Sequence, residues 1–319
     1  MPPAPPDLDL DLGDLPEGEW TARMNALGEE HGFWERLGPH HHALFVESGR
    51  KLLVTFESFQ EARRAPAALP RGFDQVTRQG WSLLAVLSRG DTFFRDPALW
   101  RNFDRWTDDG FFEDFDSVLF LGTGPGGYAA AAYSVAAPGA RVLAIRPYAT
   151  LDPFVAGWDR RHPRARGRDW TSRYGYAPAM LDAADRAAVL HDPAVPPDAM
   201  HAALFARPNV ASLRAPHTGT RTDPMLAGMQ ALPLLLDLAM DGRLDARSFA
   251  RVWRRRRSHA PYLRALLRAC EARGRPALAA RVCRWGLHTV DRPLFARTLA
   301  RLGLPEDAPG PVTAARPAP

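Results

Sequence analysis

Cysteine is nearly absent from this chain: two in 319 residues, Cys270 and Cys283. That excludes a disulfide framework and any multi-cysteine zinc site. Lysine is scarcer still. Of 41 basic residues only Lys51 is a lysine, which marks a GC-rich coding bias before any selection for phosphate binding. No stretch approaches the roughly 18–20 uncharged apolar residues of a membrane span. The first 22 residues hold six acids and neither Lys nor Arg, so no secretory leader is expected and a cytoplasmic location is. What remains, 46% hydrophobic and 24% charged residues, suffices for one substantial core with a small annex.

The charge is unevenly spread. Residues 243–303 contain sixteen Arg against three acids, or +13, so with a whole-chain charge of +5 the rest carries −8. Such asymmetry can steer a small anionic ligand or an acidic partner; nucleic acid is the less expected one. The alternative is an Arg-rich, solvated helical surface docked on the acidic part of the same chain.

Between two Pro-rich ends, read as disordered tails at 1–17 and 304–319, the pattern is α/β. Ala43–Glu47 and Lys51–Phe56 are β-rich runs split by Ser48-Gly49-Arg50, a hairpin signal. Short apolar runs follow at Ser82–Leu87, Ser117–Leu121, Arg141–Ile145, Ala187–Leu190 and Val210–Leu213, with helical stretches such as Tyr128–Val135 and Pro197–Ala206 between most of them. Alternation of this kind implies a mostly parallel sheet covered by helices. From about Arg243 the strands stop. Leu263, Leu266, Leu267 and Cys270 share one helical face. Gly274–Gly286 and Asp291–Gly303 then repeat at a shift of 17 residues, each with Pro in its first turn and Gly at its end. The division expected is an α/β domain over 18–242 and a helical annex over 243–303.

The most informative segment is Ser117–Ala131, SVLFLGTGPGGYAAA: strand, glycine turn, helix. Gly122, Gly124 and Gly127 satisfy the G-x-G-x-x-G of dinucleotide loops, and FLGTGPGG resembles the loop of S-adenosylmethionine methyltransferases. Both chemistries need an acid near the end of the next strand, where this chain has Arg146, and both put the loop after their first strand. Arg146 leaves NADP open through its 2′-phosphate. The third reading is the nucleophile elbow G-x-S-x-G, which tops a mid-sheet strand. Gly122-Thr123-Gly124-Pro125-Gly126-Gly127 fits that frame, and Asp192 and His217 follow the next strands in the order nucleophile, acid, histidine.

The nucleophile position, however, is Gly124, which has no side chain to form an acyl-enzyme. Pro125 then occupies the position that normally donates an N–H to the oxyanion, and it has none. One such donor is worth about 2.7–4 kcal/mol of transition-state stabilisation. Serine-esterase activity is not expected.

The stretch from about Leu44 to Leu213 thus resembles an α/β-hydrolase domain, with residues 147–186 in the place of a lid insertion. More narrowly, GTGPGGYAAAAYSVAAPGARVLAIRPYATLDP, GWDRR and SRYGYAPAMLDAAD are similar to bacterial proteins that often carry the name phosphoadenosine-phosphosulfate reductase. The chain lacks an S-G-G-K-D-S loop and a C-terminal cysteine motif, so that resemblance implies the fold rather than the activity.

Other candidates each have a plain structural alternative. His40, His41 and His42 suggest metal, but strand neighbours alternate faces, and no metal site is expected. Glu57 and Ser58 stand where a second oxyanion donor is usual, or in an ordinary turn. Arg160, Arg161 and Arg173, among the aromatics of the lid, offer forks for sulfate, phosphate or carboxylate. They can equally pin the insertion through Asp152, Asp159, Asp169 and Asp182. Trp253–Arg257 can grip phosphates or be solvated, and Cys270 and Cys283 fill helix interfaces.

The fold class expected is α/β, a mostly parallel sheet of α/β-hydrolase type with a C-terminal helical annex. Its expected role is to hold an anionic ligand around Gly122, Gly124, Gly126, Gly127, Arg160, Arg161 and Arg173, with Asp192 and His217 at the triad positions and no cofactor. The alternatives are hydrolysis or acyl transfer using His217 on water, and an NADP- or S-adenosylmethionine-dependent enzyme built on the Gly122–Gly127 loop.

Overall fold

A computed structural model describes residues 10–13, 15–65, 67–290 and 293–303. The expected tails at 1–9 and 304–319 lie outside them. Of the remainder of the N-terminal segment, Leu12 is buried and its N–H donates to the Ala67 carbonyl. The chain divides into two compact units: Met1–Pro216 with Pro233–Phe249, and His217–Leu232 with Ala250–Pro319.

The first unit is built on eight strands: β1 (Gly32–Leu37), β2 (His41–Val46), β3 (Lys51–Ser58), β4 (Ser82–Ser88), β5 (Ser117–Thr123), β6 (Arg141–Ile145), β7 (Arg186–His191) and β8 (Val210–Arg214). They pair in the order β1-β2-β4-β3-β5-β6-β7-β8. β2 runs antiparallel to both β1 and β4, and every pair from β4–β3 onward is parallel. This is the α/β-hydrolase arrangement. β4 is buried at all seven positions and β5 at its five central ones, as helices on both faces require.

Two expectations need correction here. β2 and β3 flank Ser48-Gly49-Arg50 but do not pair as a hairpin, because β4 lies between them. Leu83–Leu87 is the more apolar partner, and pairing it on both edges satisfies the backbone of a strand that has no face for water. β1, GFWERL, carries a mixed polar pattern at the sheet edge and was not expected as a strand.

Helices α1 (Glu17–His31), α2 (Pro97–Asp108), α3 (Pro125–Tyr133) and α4 (Pro196–Leu204) belong to this unit. α2 starts on an Asp96 side-chain cap with Pro97 in its first turn, and its buried Leu99, Phe103 and Trp106 make one stripe. α3 is different: Ala129–Ala132 are all fully buried, so it lies close against the sheet as only small side chains permit. Its own Tyr128 and Tyr133 join Phe56, Phe103 and Phe120 in the core.

In the second unit, α5 (Ala260–Ala272), α6 (Pro276–Val290) and α7 (Pro293–Arg301) follow the expected helical annex. Pro276 and Pro293 open their helices as the repeat implied. Gly286 does not end one. It sits inside α6, where a Cβ would come within 2.6 Å of the buried Phe295 ring, so this glycine lets α7 approach. No described helix is long and apolar enough to cross a membrane.

Candidate functional site

β5 delivers the glycine turn to the middle of the sheet, between β3 and β6. The turn is packed backbone to backbone. A Cβ on Gly122 would lie 2.0 Å from the Gly126 carbonyl oxygen, and one on Gly126 would lie 2.2 Å from that of Phe56. Gly124 is different in kind. Its backbone sits at φ 55° and ψ −118°, held by its N–H to the Ile145 carbonyl (2.9 Å) and by the Tyr128 N–H to its own carbonyl (3.0 Å). That is the sharp strand-to-helix turn of a nucleophile elbow, strained for any residue with a Cβ. A Cβ built there would meet only Tyr148 Cε2, at 4.0 Å. A side chain at this position would have open space, and the residue there is glycine. Pro125 opens α3 without an N–H.

Around the turn stand two groups that the sequence pattern did not single out, Tyr148 and Arg71, together with Glu57, which it did. Tyr148 lies three residues beyond β6, its hydroxyl 2.8 Å from His162 Nε2 and its ring 4.9 Å from the Arg161 guanidinium carbon. Burial pushes its phenol up to about 12. At the end of β3, the buried Glu57 carboxylate accepts the Arg71 N–H at 2.5 Å, and Arg71 Nη1 donates to Thr123 Oγ1 at 3.2 Å. The pairing of Phe56 with Gly122 sets this contact beside the elbow. Arg71 sits in a Pro/Gly-rich loop with no motif, and only the register of β3 against β5 reveals it. Ser58 caps the helix Phe59–Arg64 in a capping box with Glu61.

Asp192 directly follows β7. It is buried, and its Oδ1 accepts the Ala194 N–H at 2.9 Å. His217 opens the second unit at φ 67°, its ring 6.4 Å from that of Tyr262.

The insertion at 147–186 is laced by arginines. Asp159, 1% exposed, accepts hydrogen bonds from the Arg161 N–H and guanidinium and from His201 Nε2 at 3.0 Å. Burial alone would raise its carboxyl, but these bonds outweigh it and hold it at about 2. Arg161 also pairs with Asp198, which Arg146 meets at 3.0 Å. His201 Nδ1 accepts the Ala149 N–H at 3.2 Å, which puts its proton on Nε2. Both ring nitrogens are thereby used, and burial pushes the imidazole's pKa down. This buried His–Asp pair is a structural tie with no lone pair left to take a proton from a substrate.

Arg173 pairs with Asp104 at 2.7 Å, and Arg160 is exposed. Arg95, also unexpected from sequence, is buried and donates to the carbonyls of Asp169 and Arg173, its guanidinium 4.4 Å from the Trp100 ring centre. His41 and His42 point to opposite faces of β2. His41 Nε2 lies 2.9 Å from Thr92 Oγ1, and His42 stacks on Trp34.

No protein-family profile and no curated protein sequence matches the chain. Among solved structures it is similar to a capsule O-acetyltransferase of Neisseria meningitidis serogroup A, at 12% identity and TM-score 0.42, over 64% of this chain and 93% of that one. It is similar too to brefeldin A esterase, a bacterial homologue of human hormone-sensitive lipase, at 13% identity and TM-score 0.43, over 76% and 88%. An esterase from the archaeon Pyrobaculum calidifontis matches at 13% identity and TM-score 0.42, over 73% and 94%. The strand order gives the chain an α/β-hydrolase-like fold.

Proposed function

We propose that this protein keeps the hydrolase scaffold without its serine chemistry and holds an anionic ligand over the Gly124 turn. The observation that carries this reading is the elbow itself: φ 55° and ψ −118° at a residue with no side chain, open space above it, and a proline where the oxyanion donor belongs. Two independent parts of serine catalysis are lost at adjacent positions while the strained backbone that presents them is kept. Removing the serine side chain leaves room for the ligand, with Gly122, Gly124, Gly126 and Gly127 as its floor and Tyr148 beside it. Arg71 supplies positive charge next to Thr123. Arg161 and Arg173 spend donors on Asp159, Asp198 and Asp104, so they act on a ligand as fixed charges, and Arg160 reaches it from the exposed side of the insertion.

The test is hydrolysis of p-nitrophenyl acetate by the wild type, by His217→Ala and by Gly124→Ser/Pro125→Met, together with thermal stabilisation by inorganic phosphate and acetate. Wild type is expected to be silent as an esterase, and an anion is expected to raise the melting temperature in wild type but not in Arg71→Gln. Saturable wild-type turnover that His217→Ala abolishes would sink the reading and replace it with water activation by His217.

A further inference from the structure

The second unit contains an open groove of about 510 Å³ between α5, α6 and the 3-10 turn Trp253–Ser258. That lies within the roughly 300–1,000 Å³ of small-molecule sites. Leu263 and Cys270 are buried at its base, but the apolar surface is only partly covered: Leu266 and Val282 are half-buried, and Trp285 is 46% exposed. Tyr262, Leu278 and three arginines, Arg256, Arg257 and Arg281, complete the lining.

Two of these groups are held in place in advance. Arg256 Nη1 donates to the Trp253 carbonyl at 2.6 Å, and its guanidinium carbon lies 5.6 and 5.9 Å from the Trp253 and Tyr262 ring centres. A cation fixed by two aromatic faces and a carbonyl keeps little rotamer freedom to lose on binding. Trp285 donates its indole N–H to the Arg257 carbonyl at 2.6 Å, which fixes the ring in the lining and leaves its apolar faces for contact. Arg257 and Arg281 are exposed and make no ion pair among the described residues.

The chemistry of an occupant follows from this lining. Leucine, valine and tryptophan call for hydrocarbon, and the three guanidinium groups on the same lining call for an anionic group attached to it. Among the described residues, no buried, unpaired side-chain polar atom belongs to the groove. An extended peptide laid there would set its N–H groups over a lining whose side chains carry no carboxylate or amide acceptor, a cost an alkyl chain does not meet. We infer that the groove binds a soluble straight-chain aliphatic carboxylate, its chain against Leu263, Leu266 and Val282 and its carboxylate on the arginines.

Calorimetric titration of the full chain with decanoate, kept below its micelle concentration, and with decan-1-ol tests this. One decanoate per chain is expected. Arg257→Glu/Arg281→Glu, which changes exposed side chains only, should weaken it by about tenfold, and decan-1-ol should bind about tenfold more weakly than decanoate. Leu266→Asp should weaken both ligands, with its circular dichroism checked against wild type. Equal affinity for decanoate in wild type and the double arginine variant overturns the inference, as do equal affinities for decanoate and decan-1-ol, or no saturable heat at all.

Discussion

At the scale of single residues, the glycines of the elbow separate two physical roles that look alike in sequence. Gly122 and Gly126 are demanded by space, since a Cβ on either would overlap a carbonyl oxygen at 2.0–2.2 Å. Gly124 is favoured by backbone conformation alone. Gly124→Ser should therefore fold and lose about 1–3 kcal/mol, the usual cost of a strained non-glycine φ. Gly122→Ala and Gly126→Ala should yield little folded protein. Urea denaturation midpoints of the three variants check this, and a Gly124→Ser protein as badly damaged as Gly126→Ala would contradict it. Asp159 belongs to the same scale. Asp159→Ala leaves Arg161 and His201 without their shared buried acceptor and should cost about 3–5 kcal/mol. The sequence offered Asp159 as a possible tie for the insertion, but His201 could not be read as its partner, because 42 residues separate them.

At the scale of elements, β2 carries a pH dependence. His41 is fully buried against Phe94 and Thr92, and burial pushes its pKa down to about 4, against the partial opposition of Asp96. Its unfolded value is about 6.5. The native state is thus fully stabilised above about pH 6.5. As pH falls toward 4 the unfolded chain takes up a proton that the native chain refuses, and stability drops by on the order of 3 kcal/mol. Denaturant midpoints between these pH values should show the fall, and His41→Asn should reduce it, leaving the part carried by His42, which burial also pushes down to about 4. Ser58 supports a neighbouring element: Ser58→Ala removes the cap of Phe59–Arg64 and should cost about 1 kcal/mol by the same measurement. The apolar strands β4 to β7 were legible because a strand buried on both faces must be a short continuous apolar run. β1 was not, because an edge strand is allowed polar residues. The pairing of β2 with β4 was equally hidden: a turn signal reports that the chain reverses, not which strand fills the gap.

At the scale of the whole molecule, the Arg-rich segment 243–303 carries +13 and has few acids of its own to balance it; Arg301 pairs with Glu271 there. Like charges at this density repel, and salt screens them. Raising ionic strength should therefore raise the melting temperature of the helical transition followed by circular dichroism. A fall with salt would mean that net attraction holds these helices instead. By itself the sequence determined the α/β class, the positions of most inner strands, the elbow frame and the absence of a serine at its apex, because all of these are local: periodicity, a glycine spacing, one missing side chain. Only the tertiary structure decided that Gly124 holds the strained elbow backbone with open space above it, that Arg71, held by Glu57, reaches Thr123, and that the insertion's arginines are tied to Asp159, Asp198 and Asp104. Those facts depend on strand register and on contacts between residues far apart in the chain, and no local pattern encodes them.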